Sequence, residues 1–252
     1  MTETTARLAA IHRFPVKGLG EEVLETALLT PGRHLPDDRR WALAHAGSAF
    51  DAEAPAFVSR RNFVQTAHSP ELARTALRLS GTEVTVSAPD AEPLSADLGT
   101  PAGAAALAAW AEARCGHRQP GPYRLAALPG AGLTDVADAH VSILSDASLR
   151  ALGEAAGRPL ERRRFRGNLW IDGLAPWAEF DLVGREIAIG PVRLRITERI
   201  GRCAATTASP ASGQRDTPVL EILRERWGHT DFGVYAQVVA GGSVTPGDRV
   251  LA

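Results

Sequence analysis

The chain has 252 residues, 44% of them hydrophobic and 23% charged, which is enough apolar material for one large domain or two small ones. With 28 Lys and Arg against 29 Asp and Glu the net charge is −1, so there is no overall pull toward nucleic acid or an anionic membrane, although a local anion site remains possible. No apolar run reaches the roughly 18 residues of a membrane-spanning helix, residues 1–7 lack a signal-peptide core, and Cys115 and Cys203 are too few to hold an iron–sulfur cluster with four thiolates. A cytoplasmic protein with two free thiols is expected.

In chain order, residues 7–14 read as a first strand ending in the turn Pro15-Val16-Lys17-Gly18, and 23–29 as a second. Residues 41–45 form a third, after the charged turn Asp37-Asp38-Arg39-Arg40. The alternation on both sides of Ser80-Gly81 predicts a hairpin over 77–86. The Ala-rich segment 101–114 opens with Pro and predicts a helix. A second helix is expected over 145–154, capped by Ser145, and a third over 217–226, with Pro218 at its start. Further strands are read at 168–172, 186–189, 192–196 and 233–239, with a closing strand in the tail. The Pro- and Gly-rich stretch 119–132 reads as a linker. Strands that do not alternate regularly with helices disfavour a doubly wound sheet. They imply an α+β, mainly β fold, barrel-like, with a few peripheral helices.

Three groups of residues carry chemistry. Cys203 lies among small and hydroxyl residues, with Arg199 and Arg202 close in sequence, and nearby cations favour the reactive thiolate. A lone cysteine also suits an inert core position. Arg162, Arg163, Arg164 and Arg166 concentrate planar donors suited to phosphate or carboxylate, or simply form a solvated basic loop. Lys17, Arg39 and the pair Arg60-Arg61 are further separated cations. No phosphate-binding glycine loop, zinc-ligand spacing or serine elbow is present. An anionic ligand beside a thiolate would use what is there.

Several motifs then follow in a characteristic order. Ile11–Gly18 with Asp38-Arg39-Arg40-Trp41 comes first, then Ile143-Leu-Ser-Asp-Ala-Ser-Leu149 and Phe165-Arg-Gly-Asn-Leu169. Glu179 with Gly184, Ile189-Gly190, Arg202-Cys203-x-x-Thr206-Thr207, Phe232-Gly-x-Tyr235 and Pro246-Gly-Asp248 complete the set. Together they resemble the MOSC family, in the branch with an N-terminal β-barrel module that includes the mitochondrial amidoxime-reducing component and bacterial relatives.

The resemblance implies an N-terminal module over 1–120 and a MOSC domain over 121–252. It implies a molybdenum–molybdopterin cofactor with Cys203 as the metal ligand. Lys17, Gly18, Arg39, Asp138, Arg166, Asn168, Arg202, Thr206 and Thr207 would hold the pterin and its phosphate, and Arg61 and His140 would join Cys203 on the catalytic side. Two positions depart from the family pattern. Gly18 stands where Ser is frequent, removing a hydroxyl contact, and Gly167 stands where Pro is frequent, which would loosen its loop.

The activity implied is reduction of small N-hydroxylated or N-oxide-type substrates. Neither a ferredoxin domain nor a pyridoxal-phosphate desulfurase module is visible, so electrons would come from a separate ferredoxin- or flavoprotein-type partner. The alternatives are a sulfur carrier or transferase using a Cys203 persulfide, and a cofactor-binding protein without catalysis.

Overall fold

The computed structural model describes residues 6–115 and 118–251. In chain order the strands of the first half are β1 (Arg7–Arg13), β2 (Glu22–Leu24), β3 (Ala27–Leu29), β4 (Trp41–Ala44), β5 (Ala76–Ser80), β6 (Glu83–Ala88) and β7 (Ala91–Asp97). Helix α1 (Pro101–Glu112) and strands β8 (Arg124–Ala127) and β9 (Val141–Ser145) follow, then α2 (Asp146–Ala155), β10 (Leu169–Asp172), β11 (Glu186–Ile189) and β12 (Val192–Gly201). Helix α3 (Val219–Trp227), β13 (Asp231–Ala240), β14 (Gly242–Val244) and β15 (Val250–Leu251) complete the described residues. The protein is mainly β, as expected. Among the described residues, no helix is long and apolar enough to cross a membrane.

One eight-stranded sheet dominates, in the order β15-β11-β12-β13-β9-β10-β1-β2. All its pairs are antiparallel except β9 with β10. The alternation Val192-Arg193-Leu194-Arg195-Ile196 puts the aliphatic side chains of β12 into the core and its arginines outside. Ile11, Ile143, Leu169, Leu194 and Val234 share that core. A second layer holds Leu152 of α2 and Leu223 of α3 against Trp170 and Phe232. A third core, under α1, joins Leu107 and Ala111 to Val84 and Val86 of the β5-β6-β7 sheet.

The helix starts follow local chemistry. Thr100 Oγ1 accepts the Gly103 N–H at 3.1 Å ahead of Pro101, and the side chain of Ser145 caps α2. The third predicted helix starts two residues later than expected, because Pro218 is its cap rather than its first turn.

Three expectations change. The strand expected over 23–29 is two strands in different sheets: β2 pairs with β1 and β3 with β14. The break falls at Glu25-Thr26, where Thr26 Oγ1 donates to the Val244 carbonyl at 3.1 Å. The stretch 119–132, read as a linker, contains β8, which pairs in register with β4 from Trp41↔Ala127 to Ala44↔Arg124. The loop at Gly167 is not loosened: Gly167 is buried, and a Cβ there would lie 1.9 Å from Leu144 Cδ1, a side chain with no exposure of its own. Pairing also crosses between the halves of the chain, since β1 and β2 extend the sheet built by β9 to β15.

Candidate functional site

A cleft of about 340 Å³ opens where the end of β12, the turn after β1, the loops on either side of β4, the segment before β9 and the loop before β10 meet. Its walls carry seven cationic side chains (Lys17, Arg39, Arg60, Arg164, Arg166, Arg199 and Arg202) against two acidic ones, Asp135 and Glu198. That excess in a chain of net charge −1 makes the cleft a candidate anion site, although several of these cations have carboxylate partners.

The arginine run resolves into paired and unpaired members. Arg162 is bound to the Asp146 carboxylate, and Arg163 Nε lies 3.0 Å from Glu21. Arg164, with a fully buried side chain, grips Asp216 through two bonds of 2.7 and 3.0 Å and Glu161 at 2.5 Å. Among the described residues, only Arg166 of the run has no carboxylate partner. Its Nη1 donates to the Leu19 carbonyl at 2.7 Å, its guanidinium lies 4.4 Å from the centre of the Phe14 ring, and its Nη2 is buried with no partner.

Arg39 covers the same ring at 4.9 Å and donates to the Arg166 carbonyl at 2.8 Å. Both arginines have left-handed backbones, with φ of +49° at Arg39 and +50° at Arg166, a conformation that costs a non-glycine residue on the order of 1 kcal/mol. Burial, reinforced by Arg39, pulls the Arg166 guanidinium down to about 9. Burial likewise lowers the pKa of Lys17, whose Nζ donates to Asp135 Oδ1 at 2.6 Å and to the Leu133 carbonyl at 2.9 Å. Asp135 is held well below the usual carboxylate range by Lys17 and Arg60, which outweigh its own desolvation.

On the other side of the cleft, Cys203 follows β12 and precedes a single 3-10 turn, Ala204–Thr207. Its thiol is unbridged and half-buried. The Cys203 carbonyl accepts the Thr206 amide at 3.1 Å and the Thr206 hydroxyl at 3.0 Å, fixing the backbone that carries the sulfur. Arg202 ties this segment to its neighbours by donating to the carbonyls of Phe165 (2.8 Å) and Phe232. Burial draws Arg202 down to about 10.

The ring of His140 lies 4.1 Å from that of Tyr235, centre to centre. Its Nδ1 is 2.7 Å from the Asp138 carbonyl, and a carbonyl can only accept, so Nδ1 carries the proton and Nε2 is left as an acceptor. Desolvation drops His140 to about 4, so the ring is neutral at physiological pH.

Lys17, Gly18, Arg39, His140, Arg166, Asn168, Arg202, Cys203 and Thr206 all line the cleft, although they are spread over most of the chain. Arg61, Asp138 and Thr207 do not. Arg61 is exposed and presents its carbonyl to His45, while its neighbour Arg60 faces the cleft. Asp138 is exposed and contributes a carbonyl, not its carboxylate. The Thr207 hydroxyl donates to Ala204 and accepts from Arg215, behind the turn.

Asn168 reaches the cleft, but its amide is already engaged: Oδ1 accepts from the Ser142 amide and hydroxyl, and Nδ2 donates to the His12 carbonyl. Gly18 has φ +85°, and a Cβ there would sit 2.6 Å from the Val64 carbonyl oxygen, so the backbone itself requires glycine. Sequence reasoning missed Asp135 and Ser142 as cleft residues, and of the pair Arg60-Arg61 it favoured Arg61 where Arg60 faces the cleft. Asp135 carries no motif, and only its place between the glycines at 130 and 132 and the motif residue Ile143 hinted at a functional loop.

Comparison with known proteins matches residues 5–116 to the MOSC N-terminal beta barrel domain and residues 117–251 to the MOSC domain. Among solved structures the chain is similar to the YuaD protein from Bacillus subtilis, at 13% identity and a TM-score of 0.48 over 97% of this chain and 93% of that one. It is also similar to YiiM from Geobacillus stearothermophilus, at 15% identity and a TM-score of 0.34 over 44% of this chain and 52% of that one. Comparison with curated protein sequences gave no significant match.

Proposed function

The chain belongs to the MOSC family, with the N-terminal beta barrel domain ahead of the MOSC domain, and on that premise we propose that its cleft binds a molybdopterin-type molybdenum cofactor with the Cys203 thiolate as the protein's ligand to the metal. The observation that carries this reading is the buried, unpartnered Nη2 of Arg166, set beside Lys17 and Arg39 in the cleft that also exposes Cys203. A buried guanidinium nitrogen without an acceptor is expensive unless a ligand supplies one.

The donor set suits the group. Lys17, Arg39 and Arg166 offer the cations that a phosphate needs, and a soft thiolate suits a metal carrying sulfur ligands. The cleft volume falls in the roughly 300–1,000 Å³ range of small-molecule sites.

When bound, the cofactor supplies two-electron oxygen-transfer chemistry at the metal. The chain's own part is to bind and orient. Thr206 fixes the Cys203 backbone, Arg202 pins the same segment to the Phe165 and Phe232 carbonyls, and His140 Nε2 accepts a hydrogen bond from a group entering the cleft. The reaction that suits these parts is reduction of a small N-hydroxylated or N-oxide-type substrate, with electrons from a separate ferredoxin- or flavoprotein-type protein.

The test is metal and pterin analysis of the wild type beside Cys203→Ser, both produced in a cofactor-competent host. The wild type is expected to carry molybdenum and pterin, and the variant to lose molybdenum while its circular dichroism is unchanged. Wild-type protein free of molybdenum, or a variant that retains it fully, refutes the reading. The half-buried, unbridged Cys203 also suits the alternative of a sulfur carrier, for which the diagnostic is a persulfide mass shift on Cys203 after exposure to a polysulfide, whose outer sulfur passes to the thiolate as the polysulfide leaves one sulfur shorter.

A further inference from the structure

The anion half of the cleft holds an internal counter-anion. Asp135 divides its two carboxylate oxygens between cations from separate parts of the first half of the chain. Oδ1 takes Lys17 Nζ at 2.6 Å, and Oδ2 takes Arg60 Nη1 at 3.1 Å. Lys17 is only 6% exposed, whereas the Asp135 side chain is 41% exposed, so the carboxylate reaches a buried ammonium from the solvent side.

The same short segment anchors the ammonium a second time through the Leu133 carbonyl. Leu133 itself is fully buried and its amide donates to the Arg39 carbonyl at 2.8 Å. Beyond that anchor, residues 135, 137 and 138 are exposed. The segment is therefore pinned at Leu133 and tied down by side-chain charge at Asp135.

Without a counter-anion, burial would disfavour the charged form of Lys17. With one already in place, a second anion on the same two donors would set like charges against each other. A phosphate group and the Asp135 carboxylate must then exchange at this point instead of binding together. We propose that Asp135 is a displaceable internal counter-anion that stands where the phosphate of an organic phosphate monoester docks on Lys17 and Arg60. The proposal rests on the cleft being the anion site described above, but not on the metal or on Cys203.

Displacement lowers apparent affinity by the fraction of molecules whose site is free. The test is calorimetric binding of inorganic phosphate and of phenyl phosphate to the full chain, produced in a host unable to make the pterin. Wild type, Asp135→Asn and Asp135→Glu are compared, with hydrogen exchange of residues 133–138 followed on phosphate addition. Asp135→Asn is expected to bind both probes about tenfold more tightly, and Asp135→Glu, which keeps the competing charge, to stay near wild type. Phosphate is expected to speed exchange in the wild-type segment.

Equal or weaker phosphate binding by Asp135→Asn overturns the proposal, as does an equal gain in Asp135→Glu. Phenyl phosphate binding more weakly than inorganic phosphate overturns the assignment to a monoester. Absence of molybdenum or pterin from the wild type would leave these outcomes untouched, so failure of the cofactor reading is separately visible.

Discussion

Asn168 was expected from sequence to hold the pterin, yet its amide is built into the sheet, and substituting Ala separates the two roles. Asn168 is 2% exposed, and its partners Ser142 and His12 are each 6% exposed. Asn168→Ala removes the acceptor shared by the Ser142 amide (3.1 Å) and hydroxyl (2.9 Å), and the donor to the His12 carbonyl (3.2 Å). The Ser142 hydroxyl can turn to another acceptor, which leaves two backbone groups stranded. At about 1–3 kcal/mol for each unsatisfied buried group, the expected loss is about 2–6 kcal/mol. For a chain of this size, a loss near 3 kcal/mol lowers the melting temperature by about 6–12 °C. Urea unfolding at constant m-value reads the loss directly, and phosphate calorimetry on the same protein should change by less than about threefold. A stability loss under about 1 kcal/mol, combined with collapse of phosphate binding, would show that Asn168 is a ligand contact and not a brace between β1, β9 and β10.

Two further outcomes follow from the geometry. Gly18→Ser restores the residue frequent in the family but forces a Cβ onto the Val64 carbonyl in a left-handed backbone. It should cost about 1–3 kcal/mol in thermal unfolding without raising pterin content, and a neutral or stabilising result would refute the backbone explanation. Acidification should destabilise the fold in two stages, measured by urea titration at stepped pH. Burial depresses the His34 and His140 imidazoles in the folded state, His140 to about 4. The stability they carry as neutral rings is therefore complete above about pH 6.5 and is lost as pH falls toward 4. Asp135 and Asp216, depressed by Lys17 and Arg60 and by Arg164 respectively, lend stability that is complete above about pH 4 and is lost below it. His140→Gln should shrink the first stage alone.

What the sequence revealed about the fold depended on how local the cause was. The starts of α1 and α2 were legible because Pro101 fixes the first turn of α1 and Ser145 acts on an amide three residues on. The hairpin of β5 and β6 was legible because Gly81 turns the chain and both arms alternate. The split between β2 and β3 was not, since Thr26 is paired with Val244, 218 residues away. Strand β8 was hidden because Pro and Gly surround it and its partner β4 lies far back in the chain. Strand β9 shows no alternation, because all five residues from Val141 to Ser145 are buried between β10 and β13, and periodicity is silent for a strand covered on both faces.

The site divides along the same line. Four arginines in five residues announce positive charge, but their sequence cannot say which are neutralised, because the deciding carboxylates, Asp146, Glu21 and Asp216, lie 16, 142 and 52 residues away. Once those pairs are removed, what remains is Arg166 facing Arg39 over one Phe14 ring, each in a left-handed backbone. Asp38, which is 4% exposed, binds Arg39 and also accepts the Phe14 amide at 2.8 Å, so it stabilises the turn and answers only one of the two guanidiniums. Two like charges on one ring, strained backbones beneath them and a single carboxylate between them form an arrangement that folding alone does not favour. An anion entering the cleft, as proposed above, would offset that cost. The charge deficit at Arg166, rather than the cysteine, is therefore the strongest physical sign that this cleft was built to hold a ligand.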